Sequence, residues 1–183
     1  MVDAVEQVRK RLLLATSALQ TAKVPHAVIG GNAVAAWVAT VDAAAVRNTQ
    51  DVDILIRRSD LPATRAALEA AGFVYRHAAS LDLFLDSATA SPRSAIHIVF
   101  ADETVRPNEP APYPAVTEST DLGGFTVINL DALVRIKLTA FRLKDQVHLQ
   151  DLIGIGLVDA TWLPKLPAVL AERLRTLIDN PNA

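Results

Sequence analysis

The chain has 183 residues, 51% apolar and 21% charged, which is enough apolar material for a buried core and the wrong balance for a disordered segment. A formal net charge of −2 and a pI near 6.1 give no electrostatic footprint for duplex nucleic acid. With no cysteine, disulfides and thiolate metal sites are excluded, which fits a cytoplasmic protein, and no apolar run approaches the ~20 residues that span a bilayer.

Residues 3–22 place Val5, Val8, Leu12, Ala15 and Leu19 at helical spacing, which predicts an amphipathic helix ended by Pro25. Arg9-Lys10-Arg11 followed by Leu12-Leu13-Leu14-Ala15 superficially resembles a signal peptide. The apolar part is too short, however, and Asp3 and Glu6 lie where a signal would be basic. His26-Ala27-Val28-Ile29 reads as a short buried strand, and after Gly30-Gly31 the run Asn32–Val38 is helical in composition. A strand, two glycines and a helix start leave backbone N–H groups pointing outward, an arrangement that favours an anion such as phosphate. Many tight turns of this kind bind nothing.

After a connector over 40–50, Arg47-Asn48-Thr49-Gln50-Asp51-Val52-Asp53-Ile54-Leu55-Ile56 reads as a polar turn running into a strand. Side chains at i and i+2 of a strand share a face, so Asp51 and Asp53 stand roughly 6.5–7 Å apart. Two negative charges at that distance repel by about 0.6 kcal/mol in water and by roughly 2–3 kcal/mol at the effective dielectric of a cleft. A cation relieves the repulsion, and Mg²⁺ characteristically takes one or two carboxylates plus substrate phosphates. The plainer reading is a solvated strand start.

Ser59 or Asp60 is expected to cap a helix from about Pro62 to Ala71, closed by Gly72. Alternation predicts strands at 73–77, 81–85 and 95–100, the last with Ile96, Ile98 and Phe100 on one face and His97 on the other, and Ser91-Pro92 marks a turn between them. Four prolines make 104–116 a stiff non-helical excursion, and Gly123-Gly124 precedes a late strand or hairpin arm. Asn129 or Asp131 begins a helix carrying Leu133, Val134, Ile136, Lys137, Leu138 and Phe141, followed by the charged cluster Arg142, Lys144, Asp145, His148 and Asp151. The last helix is expected over about 164–178, with Leu166, Leu170, Leu174 and Leu177 on one face.

Gly30-Gly31, a helix, Arg47-x-Thr49-x-Asp51-x-Asp53 and a downstream basic helix resemble the nucleotidyltransferase superfamily. The closest likeness is to its small bacterial members, the minimal nucleotidyltransferases and the abortive-infection toxin type. The likeness spans about residues 24–100, with a second patch at 131–151 where Lys137 and Arg142-Leu143-Lys144-Asp145 resemble a phosphate-contacting lysine and an Arg-x-Lys-Asp motif. The resemblance implies an α/β fold, a mixed twisted sheet with flanking helices over 1–128, and a helical C-terminal part over 129–183. By resemblance Gly30, Gly31 and Lys137 contact nucleotide phosphates and Asp51 and Asp53 hold divalent metal; Arg47 is a further nucleotide-binding candidate that could instead only tie its loop to a carboxylate, and Asp51, Asp53 and His97 are the catalytic candidates.

Two departures bear on the chemistry. His97 stands where the family usually supplies a third carboxylate, and His148 where a further aspartate often follows. Imidazole is a poor ligand for Mg²⁺, so His97 shifts the expectation from Mg²⁺ toward Mn²⁺ or Zn²⁺, toward a base, or toward a site that no longer transfers nucleotides. The gap from Gly31 to Asp51 is also longer than in many members. The implied activity is metal-dependent transfer of NMP from a nucleoside triphosphate to an unidentified acceptor hydroxyl on RNA, protein or a small molecule. A phosphate-ester hydrolase on the same scaffold and a non-catalytic nucleotide-binding or interaction module are the alternatives. No membrane partner is implied; a protein partner or a second copy of the chain stays open.

Overall fold

The computed structural model describes residues 2–91 and 94–180. The turn expected at Ser91-Pro92 falls partly on Pro92, outside the described residues.

The elements run α1 (Val2–Thr21), β1 (His26–Ile29), α2 (Gly30–Ala39), β2 (Val52–Ile56), α3 (Leu61–Ala70), β3 (Val74–Ala78), β4 (Leu81–Leu85), β5 (Ile96–Phe100), β6 (Ser119–Asp121), β7 (Thr126–Ile128), α4 (Leu130–Ala140), α5 (Leu143–Gly154) and α6 (Ala168–Asp179). The strands form one seven-stranded mixed sheet in the order β3-β4-β5-β2-β1-β7-β6. At its centre β2 runs antiparallel to β1 and parallel to β5, with Asp53 opposite Ile29 on one side and His97 on the other.

Strand alternation sorts the sheet into two faces. Val28, Val52, Ile54, Ile56, Ile96 and Ile98 point into a core with Leu12, Ala15 and Leu19 of α1 and Leu68 of α3. Ala27, Ile29 and Leu55 point into the other core, which α2, α4, α5 and α6 build with Ala33, Val34, Leu133, Leu138, Leu149 and Leu174. Asp53 lies between Ile54 and the β2 start, so it shares a face with Leu55, and His97 likewise opposes Ile96 and Ile98. Both therefore face the layer of α2, α4 and α5. The Arg9–Ala15 stretch lies within α1, and no helix among the described residues is long and apolar enough to cross a membrane.

Several boundaries differ from expectation, for local reasons. Helix α2 starts at Gly30 itself, so the two glycines form its first turn. Arg58–Asp60 is a 3₁₀ turn, and Asp60, in the cap position of α3, makes no cap bond because its carboxylate accepts from Arg57 Nε at 2.9 Å. Residues 160–165 are a 3₁₀ stretch holding Pro164, and α6 starts only after Pro167, which fixes the chain before the helix. Phe141 does not continue α4: its φ of +48° turns the chain sharply into α5.

A left-handed phenylalanine is costly, and α6 supports it. Arg173 Nη1 donates to the carbonyls of Leu138 and Thr139 at 2.6 and 2.8 Å, satisfying two orphan acceptors at the end of α4, and its guanidinium stacks 5.0 Å from the Phe141 ring. Replacing Arg173 by Met keeps the packed stem and removes both bonds. The expected cost is about 1–3 kcal/mol, read as a lower urea midpoint at unchanged slope.

Candidate active site

The site is organised by the passage from β1 into α2. Gly30 has a φ of +69°, and a β-carbon there would lie 1.9 Å from Asp53 Oδ2. Gly31 has the same constraint from another neighbour: its β-carbon would lie 2.9 Å from Thr49 Oγ1. Glycine is thus required twice, once for a backbone region closed to most residues and twice for contact. Asn32 adds a tether, donating from Nδ2 to the Asp51 carbonyl at 2.7 Å. Thr49, Asp51 and Asp53 are in this way seated on the first turn of α2, whose leading N–H groups have no partner within the helix and carry its positive end. Ile29 precedes that turn and offers no side-chain cap.

Asp51 and Asp53 are both half-buried. Burial raises the Asp51 carboxyl above its ordinary range; the field of His97 opposes this and that of Asp53 adds to it. His97 Nδ1 lies 3.4 Å from Asp53 Oδ1, each side chain 26% exposed. Two carboxylates in one another's field, one of them resisting ionisation, are what a divalent cation stabilises. Among the described residues no group of three His, Cys, Asp or Glu donors surrounds a common point. Asp51 and Asp53 thus offer at most two carboxylates, the number that Mg²⁺ characteristically takes from protein.

The α4–α5 corner brings up the cations. Asp145, fully buried, accepts from Lys137 Nζ at 3.0 Å, from Arg142 Nε at 2.7 Å and from the Arg142 backbone N–H at 3.2 Å. Burial alone would raise Asp145, but Arg142 and then Lys137 hold it below the usual carboxylate range. Lys137 is only 2% exposed, and burial lowers its ammonium against the pull of Asp145 and Asp53. The expected phosphate-contacting lysine is thus committed to Asp145 beneath the surface. Arg142, with its side chain 42% exposed, faces outward, as does Lys144, whose charge acts on Asp51, and Asp53 acts on Arg142 too. Arg47 is exposed and pairs with Asp151 through Nε at 2.8 and 2.9 Å, tying the connector loop to α5.

Arg142 and Asp145 were readable only as a motif; their roles depend on the turn at Phe141. Tyr113, buried and within the field of Arg142, Asp145 and Asp53, carried no sequence signal because its proline-rich surroundings read as a stiff excursion outside the core. Concavities of about 420, 410 and 330 Å³ are lined by other residues, centred on Arg58 and Asp82, on Arg106 and Arg173, and on Lys10 and Phe73. Chemistry rather than cavity size marks this corner.

Two outcomes follow from this geometry. Gly30→Ala should lower stability by about 1–3 kcal/mol, and adding Asp53→Ala should return part of that loss by removing the clash, measured by urea denaturation of all three variants. Burial, followed by the charge of Lys137, pushes His148 down to about 4, and its Nδ1 is buried without a hydrogen-bond partner. The unfolded chain takes up that proton near pH 6.5 and the folded chain only near 4, so stability falls as pH drops through this window. The loss is roughly 1–2 kcal/mol after allowance for the partly exposed ring, and His148→Gln should flatten the Tm profile between the two values.

No family model and no curated protein matches the sequence. Solved structures do. The antibiotic-resistance factor ANT(2'')-Ia is similar at 16% identity and a TM-score of 0.53, over 97% of this chain and 93% of that one. An antigenic nucleotidyltransferase-like protein from Paracoccidioides brasiliensis gives 12% identity and 0.56, over 97% and 89%. JHP933 from Helicobacter pylori gives 15% and 0.55, over 97% and 74%. At such identities the likeness is one of architecture: the chain shares the fold of these solved structures, among them a nucleotidyltransferase-like protein.

Proposed function

We propose that this protein is a metal-dependent nucleotidyltransferase that moves NMP from a nucleoside triphosphate to an acceptor hydroxyl. The observation that carries the reading is the contact of Gly30 with Asp53, which seats an acidic pair on the anion-attracting start of a helix. A divalent cation held by Asp51 and Asp53 would supply neutralisation of the triphosphate and polarisation of its α-phosphorus.

The chain's own groups do the rest. The amides of the first turn of α2 would donate to the triphosphate oxygens, and the two glycines would let those oxygens approach the backbone. The acceptor oxygen forms a bond to the α-phosphorus, the bond from that phosphorus to the pyrophosphate oxygen breaks, and the hydroxyl proton is released. Arg142 would meet charge developing on pyrophosphate, with Asp145 holding its guanidinium and Lys137 adding positive field from below. Arg47 can join it only by leaving Asp151. The similarity to a nucleotidyltransferase-like structure supports the reaction class and leaves acceptor and base to experiment.

His97 beside Asp53 keeps a second reading in play, a phosphate-ester hydrolase with water as nucleophile. Incubation with each α-labelled NTP, Mg²⁺ or Mn²⁺ and a cell extract separates them. Transfer predicts label on a new acceptor with pyrophosphate released, and free NMP or another hydrolysed product supports the hydrolase. Asp51→Asn and Asp53→Asn should each lower the rate about 10²-fold or more. A biological effect that survives Asp51→Asn unchanged would mean that the chain is a binding module and not an enzyme.

A further inference from the structure

A concavity of about 420 Å³ lies away from the acid corner, in the size range of small-molecule sites. Arg58, just past the end of β2, and Glu103, just past the end of β5, form part of its wall, whereas Asp53 and His97 are the second residues of those strands. Asp82 on β4 lies opposite Ile98 in the ladder, so it shares the sheet face that carries α1 and α3, and Asp53 and His97 turn to the other face. This is a separate place in the fold.

Asp82 gives the concavity its chemistry. It is only 4% exposed. Tyr75 Oη donates to its Oδ1 at 2.6 Å, and His77 Nδ1 donates to the same oxygen at 2.9 Å. Oδ2 receives no hydrogen bond from the described residues, yet it is not sealed off, and the residue lines the cavity. Burial would raise this carboxyl, but the bonds from Tyr75 and His77 and the nearby Arg58 hold it below its ordinary range.

The other charges of the wall match each other. Arg58 donates to the two carboxylate oxygens of Glu103 at 2.7 and 2.6 Å, and its guanidinium lies 3.8 Å over the Phe100 ring. With His77 neutral, the charge of Asp82 is the one left over. A buried ionised oxygen with open space before it is stabilised by a cation that also donates hydrogen bonds. Leu81 and Val105, 47% and 52% exposed, add apolar surface to the same lining. We propose that this concavity binds a small organic amine, its ammonium paired with Asp82 Oδ2 and its hydrocarbon part against Leu81 and Val105. An ammonium on a hydrocarbon body uses both features; a bare metal ion would use only the carboxylate, and no three-donor group gathers among the described residues. The site is independent of the proposed transfer chemistry and stands or falls apart from it.

The test is a nitrogen–proton correlation titration of the full chain with matched probes: 2-phenylethylamine, its neutral counterpart 2-phenylethanol, and phenylacetate. The amine should give saturable shifts below about 20 mM, as suits so small a ligand, confined to residues 75–82 and 98–105. The alcohol should bind about tenfold more weakly or worse, and the acid should give no shifts. Asp82→Asn keeps the side chain's shape and should weaken the amine about tenfold or more while leaving the alcohol unchanged, with far-ultraviolet dichroism checking that the variant folds. Where it does not fold, Val105→Arg carries the test from an exposed position: the added cation should weaken the amine and spare the alcohol. Equal affinity for amine and alcohol, no shifts with the amine, or amine binding that ignores these substitutions overturns the proposal. Shifts centred on Asp51, Asp53 and His97 overturn it as well, because they place the amine in the acid corner.

Discussion

A carboxylate oxygen fills the space where a β-carbon of residue 30 would otherwise be, and most of what distinguishes this molecule depends on that contact. It requires glycine twice over, by space and by backbone angle. It presses the start of β2 onto the start of α2, so that two acids and a row of helix-terminal amides share one corner. Burial, with a contribution from Asp53, raises the Asp51 carboxyl in this corner. Perturbed groups of this kind cluster at functional sites.

The second half of the site is built around one fully buried carboxylate. Asp145 collects Lys137, Arg142 and a backbone N–H, so its charge is matched on every side that carries a partner. Breaking such a set leaves a buried charge without compensation, which is why it behaves as a unit. Its geometry depends in turn on the sharp turn at Phe141 and on Arg173 capping α4 from α6. A residue in the last helix thus governs how a cation in the middle of the chain is presented. Arg47 and Asp151 close the remaining side, linking the connector before β2 to α5.

Local pattern alone determined a good deal. The alternation of Ile96, His97 and Ile98 placed His97 on the face opposite the apolar residues, because a strand has only two faces. The i, i+2 spacing predicts one face for Asp51 and Asp53, although Asp51 precedes β2, and the strand–glycine–helix order foretold a helix start, which falls at Gly30. Amphipathic spacing found α1, which ends ahead of Pro25, whereas the last helix was expected from about 164 and starts only after Pro167. What tertiary structure alone decided is which of these surfaces meet. That His97 lies opposite Asp53 follows from the pairing of β2 with β5, across more than forty intervening residues that no local rule counts. That Lys137 is committed to Asp145 while Arg142 faces outward follows from a left-handed Phe141 that helix propensity argues against and a contact from α6 sustains. Short-range periodicity fixes direction along one element; the distances between elements are set by packing of the whole chain, and the chemistry of this site resides in those distances.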